Sequence, residues 1–358
     1  MHLRFAIATV ISLFVATSAS AATMLSTPWI VNPDNGHWYA LTTQEHWVPS
    51  EVVAITNGGH LATIRSQAEQ DFVYQTFQNY GGQQRLLWIG FNDYQSQGQF
   101  TWSSGEPVTY TNWAPGEPNN AGGGERFVSI WPQAVGAAAG GWNDFGHLQG
   151  AFGYPAYGVV ERDPANPVEY PVHVSTGLDW RVLAPEGSKV GQDLDTVGLA
   201  YEAAHPDWNS STSFDTTDWS SATQVDASIA PTYIWAGHDQ SPVYFRHTFT
   251  LDGPVSDAVM LATVDDNAQI YINGQLVVND PLGGASAFGP LDVTAYLHAG
   301  ENLIAVKAQD IGVAASLSVD IFAVPEPSSL VLGLISAAAL LPVAAVTARR
   351  RRRYRRDY

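Results

Sequence analysis

The sequence predicts an α+β module at residues 28–162 followed by an all-β sandwich at residues 177–323. Three observations predict this order. Helical spacing of apolar residues is confined to the stretch between Glu51 and Tyr80. Short strand-like runs divided by Gly, Pro and Asn follow it. A proline-rich segment without periodicity, beginning at Asp163, then separates two blocks of strand pattern.

Composition narrows the function classes. Asp and Glu number 34 against 16 Lys and Arg, for a formal charge of -18. Seven of those cations fall between Arg349 and Arg356, and Arg4 lies near the other end. The body holds only Arg65, Arg85, Arg126, Arg162, Arg181, Lys189, Arg246 and Lys307. A body this acidic repels phosphate backbones, which argues against nucleic acid as a partner. With no cysteine, disulfides, thiolate metal sites and cysteine nucleophiles are excluded. Hydrophobic residues at 45% are enough for packed cores.

Both ends read as addresses. Met1 to Ala21 has a short basic start, an apolar run from Phe5 to Val15 and the small-x-small triplet Ala19-Ser20-Ala21, so an export signal cleaved after Ala21 is expected. At the other end, Val324-Pro325-Glu326-Pro327 precedes an uncharged stretch from Leu330 to Ala348 and then the arginine cluster. Nineteen helical residues rise roughly 28 Å, about the thickness of a bilayer core. Arginines retained on the cytoplasmic side leave the acidic body outside. This tail, residues 324–358, resembles the PEP-CTERM sorting signal, with Pro325, Glu326 and Pro327 as its signature. The resemblance implies an exosortase-type processing protease as a partner and a membrane span at 330–348. It also implies a fate at the cell surface or in extracellular matrix. An uncut membrane anchor is the simpler alternative.

Within the first module, His37 to Leu41 reads as an edge strand and Glu51 to Thr56 as a short helix ending at Asn57-Gly58. Ser66 with Glu69 forms a capping-box pattern. Phe72, Val73, Phe77 and Tyr80 continue that helix as an apolar stripe, stopped by Gly81-Gly82. Strands are predicted at Leu87 to Phe91, Gln99 to Trp102, Phe127 to Trp131 and Tyr157 to Glu161. The long Gly-, Pro- and Asn-rich stretch from Gly105 to Gly124 has the character of a functional loop.

The segments Gly58-Gly59-His60-Leu61-Ala62-Thr63-Ile64, Trp88-Ile89-Gly90, Asn112-Trp113, Glu117-Pro118-Asn119 and Trp142-Asn143-Asp144 come in an order that resembles the C-type lectin domain. That resemblance implies two short helices against two small antiparallel sheets, with a long loop carrying calcium. The family's usual disulfides are absent: the matching positions hold Ala54 and Val160, and Phe127 and His147. Large aromatics, among them Trp88, Trp113, Phe127, Trp131 and Trp142, must therefore hold the sheets by packing, each contributing about 2–3 kcal/mol when fully buried.

Calcium takes about six to eight oxygen ligands in irregular geometry. Glu117, Asn119, Glu125, Asn143 and Asp144 supply side-chain oxygens from three stretches, and their three carboxylates more than balance one divalent ion. By resemblance, Pro118 shapes the site through a cis peptide after Glu117, and Asp144 adds its backbone carbonyl. The resemblance further implies that two vicinal sugar hydroxyls complete the shell, with Glu117 and Glu125 accepting from them and Asn119 and Asn143 donating to them. By the same resemblance, Glu-Pro-Asn implies equatorial hydroxyls of the mannose, glucose, N-acetylglucosamine or fucose type; the Gln-Pro-Asp of galactose binders is absent. A second calcium is not expected. Asp93 stands where one of its acids belongs, but Gln97, Asn120 and Arg126 occupy the other matching positions. His60 reads as a polar turn residue, since no nucleophile or acid is paired with it in the sequence.

In the second module, strands are predicted at Asp179 to Leu183, Val243 to Leu251, Ala258 to Val264, Ala268 to Val278, Leu303 to Gln309 and Ala315 to Phe322. Asn273-Gly274 is a two-residue hairpin signal, and no long helix is predicted. The run from Val264 to Gly274, with Asp292-Val293-Thr294 and Gly300-Glu301-Asn302, resembles galactose-binding-like jelly rolls. Asp265 and Asp266 read as a solvated turn, with calcium binding as the alternative.

These features together predict an exported, surface-sorted, calcium-dependent carbohydrate-binding protein with a glycan or polysaccharide partner. No catalytic site is predicted, because no segment of domain size is left for one. The alternative is a structural adhesion or extracellular-matrix protein whose lectin-like domain binds protein or uses calcium only for stability.

Overall fold

The computed structural model describes residues 24–146, 155–185, 194–226, 233–236, 242–280, 286–310 and 315–326. The expected export signal and the segment from Pro327 onward lie outside them. No helix among the described residues is long and apolar enough to cross a membrane.

In the first module eight strands form one sheet. They are β1 (Ile30–Val31), β2 (Trp38–Gln44), β3 (His60–Leu61), β4 (Leu86–Asn92), β5 (Thr101–Trp102), β6 (Phe127–Ile130), β7 (Trp142–Phe145) and β8 (Ala156–Arg162). The order is β1-β2-β8-β4-β6-β7, with β3 on β8 and β5 on β4. The two separate sheets expected from the resemblance are thus joined, through the parallel pairing of β4 with β8. The expected edge strand, β2, has a neighbour on each side, because Ile30 and Val31 pair with its outer backbone.

Helix α1 (Trp47–Thr56) begins a turn before the predicted start. Pro49 falls in its first turn, where a missing N–H leaves no bond unmade. Helix α2 (Gln67–Phe77) starts where the cap pattern puts it, and the Ser66 hydroxyl accepts the Glu69 N–H at 3.2 Å. Glu69 does not turn back on its own cap. Its carboxylate accepts from the Arg65 N–H at 2.7 Å and the Tyr39 hydroxyl at 2.6 Å.

Packing replaces the missing cross-links. Ala54 and Val160 are both fully buried in one cluster with Trp47, Trp88 and Phe127. Trp47 stacks on Phe127 at 4.6 Å between ring centroids. Phe91, Trp102, Trp113 and Trp142 make a second aromatic nest, with Phe91 and Trp102 at 4.4 Å. His147 lies outside the described residues.

The second module is a sandwich of two six-stranded sheets. Its elements are β9 (Val172–Ser175), β10 (Arg181–Leu183), α3 (Leu194–Ala204), β11 (Ser220–Ser221), β12 (Thr223–Asp226), β13 (Tyr233–Trp235), β14 (Val243–Leu251), β15 (Val255–Asp265), β16 (Asn267–Ile272), β17 (Gln275–Asp280), β18 (Ser286–Asp292), β19 (Gly300–Gln309) and β20 (Ser316–Pro325). One sheet runs β11-β10-β14-β19-β16-β17 and the other β12-β13-β20-β15-β18, with β9 on β20. Phe245, Ile270, Val306, Met260 and Ile321 from both sheets share the core between them.

The Asn273-Gly274 hairpin forms, with both residues at the positive φ (51° and 81°) such a turn demands. Two expectations are corrected. A helix, α3, does occur here. The Asp265-Asp266 turn is not solvated, since Asp266 and Asn267 are each only 7% exposed. Strand β20 continues through Val324 and Pro325, with Pro325 paired to Val255.

The two modules share apolar surface. Trp47, Val48, Val52 and Ile55 of α1 belong to one buried cluster with Leu261, Ala287 and Phe322 of the sandwich. Tyr94 meets Phe288 edge-on at 6.3 Å.

Candidate metal centre

Asp144 sits on β7, hydrogen-bonded in register to β6, and is 1% exposed. Its carboxylate reaches across to the long loop. Oδ1 accepts the Asn119 N–H at 3.1 Å, and Oδ2 accepts the Asn120 N–H at 2.8 Å. The loop turns at Asn120, whose φ is 46°, after a cis Glu117–Pro118 peptide. Asn143, 5% exposed, lies beside Asp144 and donates from Nδ2 to the Asp144 carbonyl at 2.6 Å.

Glu117 faces this pair. Its Oε2 is buried and has no hydrogen-bond partner. Burial pushes its carboxyl up to about 7, and the charge of Asp144, a hydrogen bond with that residue and the charge of Glu125 add to the rise. Glu125 is also raised, first by burial and then by Asp144, against the opposing hydrogen bond from Ala121. Like charges held this close disfavour ionisation unless a cation joins them.

The sequence-selected residues are therefore gathered to different degrees. Glu117, Glu125 and Asp144 lie close enough for their charges to act on one another, while Asn119 joins through its backbone N–H and Asn143 through the Asp144 carbonyl. Glu125 is also tied to the loop, its Oε2 accepting the Ala121 N–H at 2.6 Å while its own N–H is held by Asn120 Oδ1 at 3.0 Å. Asn120 is thus a positioning residue for both Glu125 and Asp144. Only its place beside Glu-Pro-Asn in the sequence hints at this. The donor set fits a hard cation: it is all oxygen, rich in carboxylate, and contains a buried acceptor with nothing to accept.

At the position of the expected absent second ion, Arg126 already supplies a cation. Its Nη1 lies 3.7 Å from Asp93 Oδ1, and Asp93 Oδ2 accepts the Gly98 N–H at 2.6 Å.

A second charged cluster was not legible in the sequence. His37, Glu69 and Glu161 bring ligand atoms within 4.8 Å of one another. Arg65 already occupies the cation's place there, with Nη1 at 2.8 Å from both Glu69 and Glu161, and its Nε and Nη2 held by Glu106. His60 is likewise engaged, its Nδ1 at 2.7 Å from the buried Glu51 carboxylate. Its partner lies nine residues away on α1, so it is not the unpaired turn residue the sequence suggested.

Comparison with known proteins places this module. The Lectin C-type domain family matches residues 43–146. The low affinity immunoglobulin epsilon Fc receptor of Mus musculus is 39% identical over 100 residues, 28% of this chain and 27% of the receptor, so the chain spans about a quarter of that protein's length. Lectin BRA-3 of Megabalanus rosa is 34% identical over 118 residues, which are 32% of this chain and 68% of that lectin. Among solved structures, the cow C-type carbohydrate-recognition domain of CD23, crystallised in the presence of GlcNAc2Man3 oligosaccharide, is 29% identical. It covers 38% of this chain and 96% of its own, with a TM-score of 0.31. The chain belongs to the C-type lectin family, its C-type lectin domain occupying residues 43–146.

Proposed function

We propose that this protein is a calcium-dependent lectin that binds glycans through one ion held by Glu117, Asn119, Glu125, Asn143 and Asp144. The observation that carries this is the buried, partnerless Oε2 of Glu117 beside the Asp144 carboxylate. A divalent ion would relieve the repulsion and satisfy that oxygen. When bound, the ion supplies open coordination positions for two neighbouring sugar hydroxyls.

The chain's own residues do the rest. Asp144 holds the loop backbone against β7 through Asn119 and Asn120. Glu117 and Glu125 accept from hydroxyls, and Asn119 and Asn143 donate to them. In this arrangement mannose- or glucose-type diols are the substrate class. Grip on a single sugar is weak, near millimolar or about -4 kcal/mol, because few atoms are held. Multivalent display raises it. Arg126 beside Asp93 supports a single ion. No chemistry is performed on the glycan.

In the same proposal the sandwich is a galactose-binding-like spacer or second binder. The chain is exported through residues 1–21 and sorted to the cell surface or matrix by an exosortase-type protease acting on the segment around Pro327. A glycan array probed with the full chain tests the binding claim, with calcium and with chelator. Retention of mannose- or glucose-type glycans only with calcium is the expected result. Calcium-dependent thermal stabilisation with no glycan retained would instead favour an adhesion protein that uses the ion for rigidity.

A further inference from the structure

A cavity of about 330 Å³ opens on the outer side of the sandwich, where β10 and β14 meet the segment around Phe214. Arg246 forms part of its lining and is 3% exposed. A guanidinium buried this far ordinarily meets a carboxylate. Arg246 does not. Its Nη2 donates to the Ser211 carbonyl at 2.6 Å and its plane lies over the Phe214 ring at 4.8 Å, but Nη1 has no acceptor. Burial lowers its pKa to about 10, against the opposing charges of Tyr201 and Asp207.

The residue directly opposite Arg246 across the β10–β14 pair is Arg181, a second cation on the same cavity. Like charges facing each other across strands are destabilising unless something between them is negative. Among the described residues neither arginine has an acid within ion-pair distance. In a chain with a formal charge of -18, two cations on one cavity without an acid in ion-pair distance are a departure from the surface at large. Asp179, also at the cavity, stands 3.7 Å from His247 and is 71% exposed at its side chain. The remaining lining brings the hydroxyls of Thr212, Thr216 and Thr248.

We infer that this cavity binds an acidic saccharide, whose carboxylate sits between Arg246 and Arg181 and whose ring hydroxyls meet the three threonines. A planar carboxylate matches the two-pronged guanidinium, and supplies the acceptor Nη1 lacks. Threonine hydroxyls can donate or accept, as a polyol requires. The site is on a different module from the calcium centre and does not depend on it.

The test is calorimetric titration of the full chain, in calcium-free buffer, with sodium glucuronate, glucose and sodium acetate separately. Glucuronate is expected to bind, with acetate and glucose each about tenfold weaker or more. Arg246→Met should weaken glucuronate about tenfold or more, and Arg181→Gln by about threefold, since that side chain is exposed. Glu117→Gln should leave glucuronate binding unchanged. If Arg246→Met does not fold, Arg181→Gln and Thr216→Val carry the test, and both must weaken binding. No saturable glucuronate binding by the unmodified chain overturns the inference. Equal binding of acetate, or no effect of any cavity substitution, overturns it as well.

Discussion

Asp144 holds Asn119: its Oδ1 accepts the Asn119 N–H at 3.1 Å, tying the Glu-Pro-Asn loop to strand β7. A second bond from the same carboxylate, to the Asn120 N–H at 2.8 Å, completes the clamp. A carboxylate has more lone pairs than these two bonds use, so clamping the loop and ligating an ion are compatible. Replacing Asp144 with Asn therefore removes two things at once. Hydrogen bonds to a charged group are worth about 1.5–3 kcal/mol, so Asp144→Asn should lower unfolding free energy in chelator by an amount of that order. Urea unfolding in chelator measures it, separately from any loss of calcium binding.

Calcium affinity should depend on pH with a definite sign. The Glu117 carboxyl stands near 7 without metal, above its ordinary value of 4.5. A raised folded-state value means the calcium-free protein binds this proton more tightly than the unfolded chain does. Its contribution to calcium-free stability therefore falls as pH rises from 4.5 toward 7. Calcium must displace the proton, so its affinity should rise over the upper part of that window and level off above it. Calcium titrations at about pH 6 and about pH 8 check this. Glu117→Gln should weaken calcium binding and flatten most of the dependence.

The modules should unfold together. Leu261 is buried in one cluster with Trp47, Val52 and Ile55 of α1. Leu261→Ala should cost about 2–5 kcal/mol and lower the melting temperature of the lectin domain along with that of the sandwich. Calorimetry reads this as one shifted transition; a lectin transition left in place would argue that the contact carries no coupling.

Arg65 neutralises three acids at once, two of them nearly inaccessible: Glu69 at 4% and Glu161 at 6% exposure. Arg65→Met leaves those two carboxylates with no guanidinium and should cost about 3–5 kcal/mol. Denaturant unfolding of the variant measures the loss.

That cluster also shows where sequence stops being informative. Glu69, Glu106 and Glu161 are spread over more than ninety positions and meet only when β8, α2 and the loop after β5 come together. By contrast, α2 was legible because its cap and stripe are local, and the Asn273-Gly274 hairpin because its turn chemistry is local. Helix α3 was hidden by Gly198, a residue that weakens helices and is used here for closeness. A side chain there would come within 2.9 Å of Lys307 and the Tyr244 hydroxyl. At the candidate metal centre, residue types and order pointed to Glu117, Asn119, Glu125, Asn143 and Asp144. The hold on Glu125 comes from the Ala121 N–H and the Asn120 side-chain oxygen, a matter of loop path that the spacing of the ligand residues does not encode.

The most direct measurement is a calorimetric titration of the full chain with calcium chloride after chelator removal, at about pH 7.5, alongside Asp144→Asn. A site of this composition predicts one ion per chain with a dissociation constant of about 0.1–1 mM, the range of extracellular modules, and binding at least about tenfold weaker in the variant. Absence of saturable binding up to about 10 mM, or equal affinity in the variant, would contradict it.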